Sequence, residues 1–173
     1  MIRDINQHPS KTLNLKAFKI EQATETLTSP RDHVWPNEII DLGTDLLNTA
    51  ASIQDICLGL ASNQIWDKDT PAPSMFVMRW PGVPIETWGW KIILNPVVKG
   101  SGKKEKSKEG CLSLHHPKST IGNPKRRANA EMTYQTLDSE EVKTIKFYGH
   151  LGPYAKIVQH EYDHLQGKLC IEN

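Results

Sequence analysis

At 173 residues and 19.6 kDa, the chain is long enough to bury roughly 70% of the surface its unfolded form exposes, so one domain over residues 1–173 is expected. Hydrophobic residues at 38% and charged residues at 24%, with 11 Gly and 11 Pro, exclude the disordered, collagen-like and low-complexity classes. Lys plus Arg at 21 against Asp plus Glu at 20 leaves +1, which supplies no general field for gripping nucleic acid or anionic lipid.

The first residues, Met1 to His8, hold no apolar export segment, and no run of about 18 apolar residues occurs anywhere, so a cytoplasmic protein without a membrane span is expected. From Pro36 to Ile56 the apolar positions Ile39, Ile40, Leu46, Leu47, Ala50 and Ile53 recur at three- and four-residue steps and predict a helix, with Pro36 suited to its first turn. Short β-like runs follow at Met75 to Arg79, Lys91 to Leu94 and Ala130 to Thr136, the last alternating apolar with polar side chains. Pro153 after Gly152, then Ile157, Val158, Glu161, His164 and Leu165, predict a second helix that ends near Gly167. No fixed-period repeat or linker tract interrupts this order. Two helices bracketing strands, without alternating βα units, predict an α+β domain: short antiparallel or mixed strands packed around the C-terminal helix, with an N-terminal helix.

The strongest chemical signal is His160-Glu161-Tyr162-Asp163-His164. Residues four apart on a helix stand one turn above each other, so two imidazoles can face one metal with Glu161 beside it. A carboxylate there can take a proton from a water acidified by the cation and return it to a leaving group. A catalytic metal needs a third protein ligand. Only nine residues follow His164, so a glutamate on a later helix is not expected, and Glu172 is too close. Two cysteines remain as candidates: Cys170, where a His-x-x-Gly-x-x-His extension would place a histidine, and Cys111, in Glu109-Gly110-Cys111-Leu112-Ser113 about fifty residues upstream. Three cysteines, an odd and sparse set, suit a reducing compartment and metal or thiol chemistry better than a disulfide framework.

Glu109 to Ser113 followed by Gln159 to Gly167 (Gln-His-Glu-x-Asp-His-Leu-x-Gly) resembles peptide deformylase, and Cys57 to Gln64 approximates that family's Gly-x-Gly-x-Ala-Ala-x-Gln motif. Weaker likeness at His8 to Leu13, at Leu94-Asn95-Pro96 and at Gly149 to Lys156 spreads the resemblance over most of the chain. It implies a deformylase-like fold and hydrolytic removal of the formyl group from N-formylmethionyl nascent chains, with release of formate. It also implies one divalent ion on Cys111, His160 and His164, usually ferrous iron in the cell, although the donor set equally suits zinc, nickel or cobalt. Glu161 is then the acid/base, and Gln64 with the backbone N–H of Leu112 receives the developing oxyanion. Gly59, Leu60, Gly110 and Ile157 are expected at the substrate, and Glu109 and Asp163, through Arg126 or Arg127, behind the ligands.

Cys57 stands where the family motif has its first glycine and Ser62 where it has its second alanine. Cys57 is expected as a small buried hydrophobe, not a ligand. The basic stretches Lys103, Lys104, Lys106, Lys108 and Lys125, Arg126, Arg127 are expected as solvated loops allowing at most a weak ribosome contact, and His115 and His116 as loop residues. The family's additional C-terminal helix is missing or lies outside these residues, which resembles the short deformylases of bacteriophages and suggests a viral or minimal version at work in a bacterial cytoplasm; a monomer without specific nucleic-acid partners is expected. Two rival readings use the same residues. One is a metallopeptidase with Cys170 as third ligand, and the other is a catalytically silent metal-bearing protein that binds nascent chains or ribosomes.

Overall fold

The computed structural model describes residues 1–22, 35–81, 89–114, 122–149 and 152–171. Its core is organised around strand β2 (Met75–Arg79), whose apolar run Met75-Phe76-Val77-Met78 is buried throughout. Successive strand side chains point to opposite faces, so an unbroken apolar run fits a strand covered on both sides. Met75 and Val77 pack with Leu42, Leu46 and Ala50 of helix α1 (Asn37–Ser52). Phe76 and Met78 pack with Ala155, Val158 and Leu165 of helix α2 (Gly152–Leu165). The α+β arrangement is therefore a sheet with one helix on each face.

The sheet runs β1 (Gly59–Ala61), β2, β3 (Trp90–Lys106), β4 (Lys125–Thr136) and β5 (Ser139–Phe147) in that spatial order, every neighbouring pair antiparallel. Of the antiparallel and mixed alternatives, the antiparallel one is realised. Helix α1 stops at Ser52, short of the predicted Ile56: Ile53 takes φ −125°, ψ 30°, and Ile56 is 58% exposed, so a further turn would bury nothing.

Strand β3 continues well past the predicted end at Leu94, crossing Pro96 at a register shift between Leu94 and Val97 and a second irregularity between Ser101 and Lys104. A proline is tolerated within a sheet where the ladder is already broken by a bulge. The basic stretches expected as loops are corrected here. Lys103 to Lys106 close β3 and Lys125 to Arg127 open β4, paired with one another, because backbone ladders form without an apolar face. His115 and His116 lie outside the described residues.

Two details fix α2. The Gln159 amide bonds both main-chain groups of Arg127, accepting from its N–H at 3.0 Å and donating to its carbonyl at 2.9 Å. At the C-terminus, the N–H groups of Gly167 and Lys168 donate to the carbonyls of His164 and Asp163, both at 2.9 Å, with Gly167 at φ +71°. This is a glycine-terminated helix end, and it returns the chain so that Leu169 and Cys170 pack with Leu13, Cys111 and Leu114.

Candidate metal centre

Helix periodicity sets His160 and His164 on one side of α2, ring centroids 4.9 Å apart. The segment after β3 brings Cys111 to them: its Sγ lies 3.2 Å from His164 Nε2, and one donor atom from each of the three residues falls within 4.8 Å of the others. Cys170 is buried behind this cluster with its Sγ 3.9 Å from the Glu109 carbonyl, and it does not belong to the group of converging donors.

The donor chemistry fits a divalent cation. Hydrogen bonding with Cys170, reinforced by burial, pushes the Cys111 thiol well above its ordinary range. Burial drives His164 well below the ordinary histidine range, so its ring is neutral. For His160 burial lowers the pKa, but the Glu109 hydrogen bond and the Glu161 charge outweigh it and the net direction is upward. A buried thiol whose ionisation is disfavoured, converging with a neutral imidazole away from water, is the setting in which a cation deprotonates sulfur and lowers the cost of burial. Glu109 Oε2 sits 3.0 Å from His160 Nδ1, which leaves the ring's other nitrogen for the cluster.

Behind Glu109, Arg126 is 5% exposed and grips both carboxylate oxygens at 2.8 Å while also bonding Asp163. Burial alone would raise Glu109, yet the His160 and Arg126 hydrogen bonds and the Arg126 charge hold it at about 2. Arg127, the other cation named with these acids, points away to the Gly102 carbonyl.

Glu161 is 3% exposed and its Oε2 has no hydrogen-bond partner. Burial pushes it up to about 7, against the lowering influence of His160 and Arg126. Gly59 is what makes room for it, since a Cβ there would lie 2.5 Å from Glu161 Oε1. The Gln64 amide is equally fixed, accepting from the Ala61 N–H at 2.9 Å and donating to Ser113 Oγ at 3.0 Å, with Cys111 Sγ 3.9 Å from its Nε2. Gln7 holds Leu112 through its carbonyl at 3.0 Å.

Gly59, Gln64, Gly110, Leu112, Ile157 and Glu161 all line a cavity of about 460 Å³. Leu60 does not. Strand alternation turns its side chain away from Gly59's cavity and into the core cluster that includes α1, where it is 0% exposed. Cys57 lines the cavity without joining the donors; its thiol bonds the Gly59 carbonyl at 3.2 Å, and burial with the Glu161 charge pushes it up to about 12. Sequence reasoning missed Asn63, whose Nδ2 donates to the His164 carbonyl at 2.6 Å, and the Ser113 hydroxyl that orients Gln64. Both stand inside the quoted motifs, but a hydroxyl and an amide give no sign in a sequence that they will be fully buried.

A cysteine and two histidines converging on a sheet-backed helix, with an open buried carboxylate beside them, define the class of hydrolytic metal centres. The family model described as polypeptide deformylase matches residues 2–173, and the chain belongs to that family. Its function is peptide deformylation, a hydrolysis. The peptide deformylase of Pseudothermotoga lettingae is 30% identical over 173 residues, covering 99% of this chain and 82% of that protein. That of Karelsulcia muelleri is 40% identical over 84 residues, 48% of this chain and 41% of its own length. The Met-Ala-Ser-bound crystal structure of class I type b peptide deformylase from Acinetobacter baumannii superposes with a TM-score of 0.73 at 22% identity, covering 100% of this chain and 99% of that one. Among the described residues no helix is long and apolar enough to cross a membrane.

Proposed function

We propose that the chain removes the formyl group from N-formylmethionine of newly made polypeptides in a bacterial cytoplasm, working as a single-domain monomer with one divalent ion on Cys111, His160 and His164. Ferrous iron is the ion proposed in the cell; zinc, nickel and cobalt suit the same soft and borderline donors. The observation that carries this reading is the buried Glu161 carboxylate, with one oxygen unpartnered, facing a cavity that also exposes Gln64 and Leu112.

When bound, the ion acidifies water and polarises the formyl carbonyl. Glu161 accepts a proton from the attacking water, and the C–N bond breaks as that proton passes to the α-amine, leaving formate and a free amino terminus. The Gln64 amide, held by Ala61 and Ser113, and the Leu112 N–H donate to the oxygen on which charge develops. Gly59 and Gly110 let the peptide backbone approach, and Ile157 and Leu112 supply apolar wall for the methionine side chain. Glu109, Arg126 and Asp163 keep His160 aimed. The Acinetobacter baumannii structure is described as bound to Met-Ala-Ser, the peptide that deformylation of formyl-Met-Ala-Ser leaves.

Protein reconstituted with nickel is expected to release formate from formyl-Met-Ala-Ser. In the same preparation Cys111→Ser should lose its nickel while Cys170→Ser retains a full equivalent, measured by elemental analysis. The reverse pattern would favour the metallopeptidase reading, and a folded, fully loaded protein that releases no formate would sink deformylation of this substrate.

Gly59→Ala is expected to lower kcat/KM by about tenfold to a hundredfold, because its Cβ must displace the Glu161 carboxylate and misplacement near 1 Å costs on that order. Steady-state kinetics on the nickel-loaded variant check this. Wild-type kcat/KM would show that the carboxylate can swing aside without loss.

A further inference from the structure

A second cavity opens beside α2 and shares no lining residue with the first. It is a surface groove of about 1220 Å³ between the distal β3–β4 pair and the Gln159, Tyr162 and Asp163 side of the helix. The strand register places Lys104 opposite Arg127 and Lys106 opposite Lys125. Residues directly opposite share a face, and like charges in that relation destabilise a sheet.

Lys168, just beyond the helix, adds a further exposed cation to the lining. Among the described residues none of these five side chains pairs with a carboxylate. The Arg127 side chain bonds the Gly102 carbonyl, Glu105 is paired with Lys103, and Asp163, the one acid in the lining, is taken by Arg126. A chain with a net charge of +1 thus gathers five unneutralised cations in one concavity, at a cost to its own hairpin.

We infer that this groove binds the phosphodiester backbone of a single-stranded nucleic acid. Charges repeating along a strand answer a row of cations that two lysines and their cross-strand partners present in register. Tyr162, half-buried in the groove wall, offers a ring on which a base can stack. A bilayer fits less well, because the apolar lining side chains Val98, Pro124 and Leu169 are half-buried or buried and none is presented for insertion. Of the two amides in the lining, Gln159 is engaged by the Arg127 main chain and Asn123 alone is exposed, so binding is largely tolerant of sequence and strongly dependent on salt.

The test is fluorescence anisotropy of the metal-loaded full chain with labelled dodecamers of uridine and of deoxythymidine, the two arms separating RNA from DNA, across a salt series. The expected result is saturable micromolar binding at about 50 mM salt with a log–log slope of about −2 to −3.5, the upper value being about 0.7 for each of five neutralised phosphates. Lys104→Glu with Lys125→Glu turns both like-charge pairs into opposite-charge pairs, so folding is safeguarded. That double variant should weaken binding at least about tenfold and leave formate release unchanged. No anisotropy change up to about 100 µM protein at that salt, or binding indifferent to the double variant, overturns the proposal. So does retention on phosphatidylserine vesicles by a protein that ignores both oligonucleotides.

Discussion

Replacing Glu161 by glutamine is expected to lower formate release by about 10²–10⁴ while nickel content and thermal stability stay at the wild-type level. The two side chains have the same shape, so neither the Gly59 contact nor the cavity changes. The amide can neither accept the proton of the attacking water nor carry it to the departing amine. Stability should hold for a specific reason: the carboxyl is buried, one of its oxygens bonds nothing, and burial already pushes it up to about 7, so an uncharged replacement loses no partner there. Single-turnover formate release, alongside metal analysis and a melting curve, checks all three statements. A variant keeping more than about a tenth of wild-type activity would remove Glu161 from proton transfer.

Replacing Arg126 by methionine acts on stability first. Its guanidinium holds Glu109 through two hydrogen bonds of 2.8 Å and also bonds Asp163, in a setting where Arg126 is 5% exposed. Removing the guanidinium leaves the buried Glu109 carboxylate with the His160 hydrogen bond as its remaining support, and breaking a buried pair in this way costs up to about 3–5 kcal/mol. For a chain of this size that corresponds to a fall in Tm of roughly 6–20 °C, measured on metal-free protein so that altered affinity does not enter. The triple variant Glu109→Gln, Arg126→Met, Asp163→Asn should recover a large part of the loss, since it removes the stranded charges as well. A loss below about 1 kcal/mol for Arg126→Met alone would show that water reaches the cluster and screens it.

How far the sequence disclosed this arrangement depended on whether a residue's environment leaves a local trace. Strand β2 was legible at both ends because burial on two faces forces an unbroken apolar run. The helical spacing of His160 and His164 is local geometry, and the first-motif residues Gly59 and Gln64 were legible through their resemblance to a known pattern. Strand β5 was not legible: Ser139 to Phe147 carries charged or exposed side chains on most positions and is recruited by pairing with β4 rather than by its own pattern. The same holds for the lysine-rich end of β3, where tertiary pairing overrides a composition that reads as loop. Leu60 faces the core and Gly59 the cavity because a motif names neighbours in sequence, whereas strand alternation sends neighbours to opposite sides.

The Gln159 amide recognises the main chain of Arg127, not its side chain. Helix α2, and with it both imidazoles, is therefore moored to the sheet by atoms that every amino acid except proline possesses. Mutational drift at position 127 can retune the charge of the outer surface while the hinge between helix and sheet keeps its setting. The two sides of this helix can thus be shaped by separate selective pressures, one chemical and one concerned with what the protein meets.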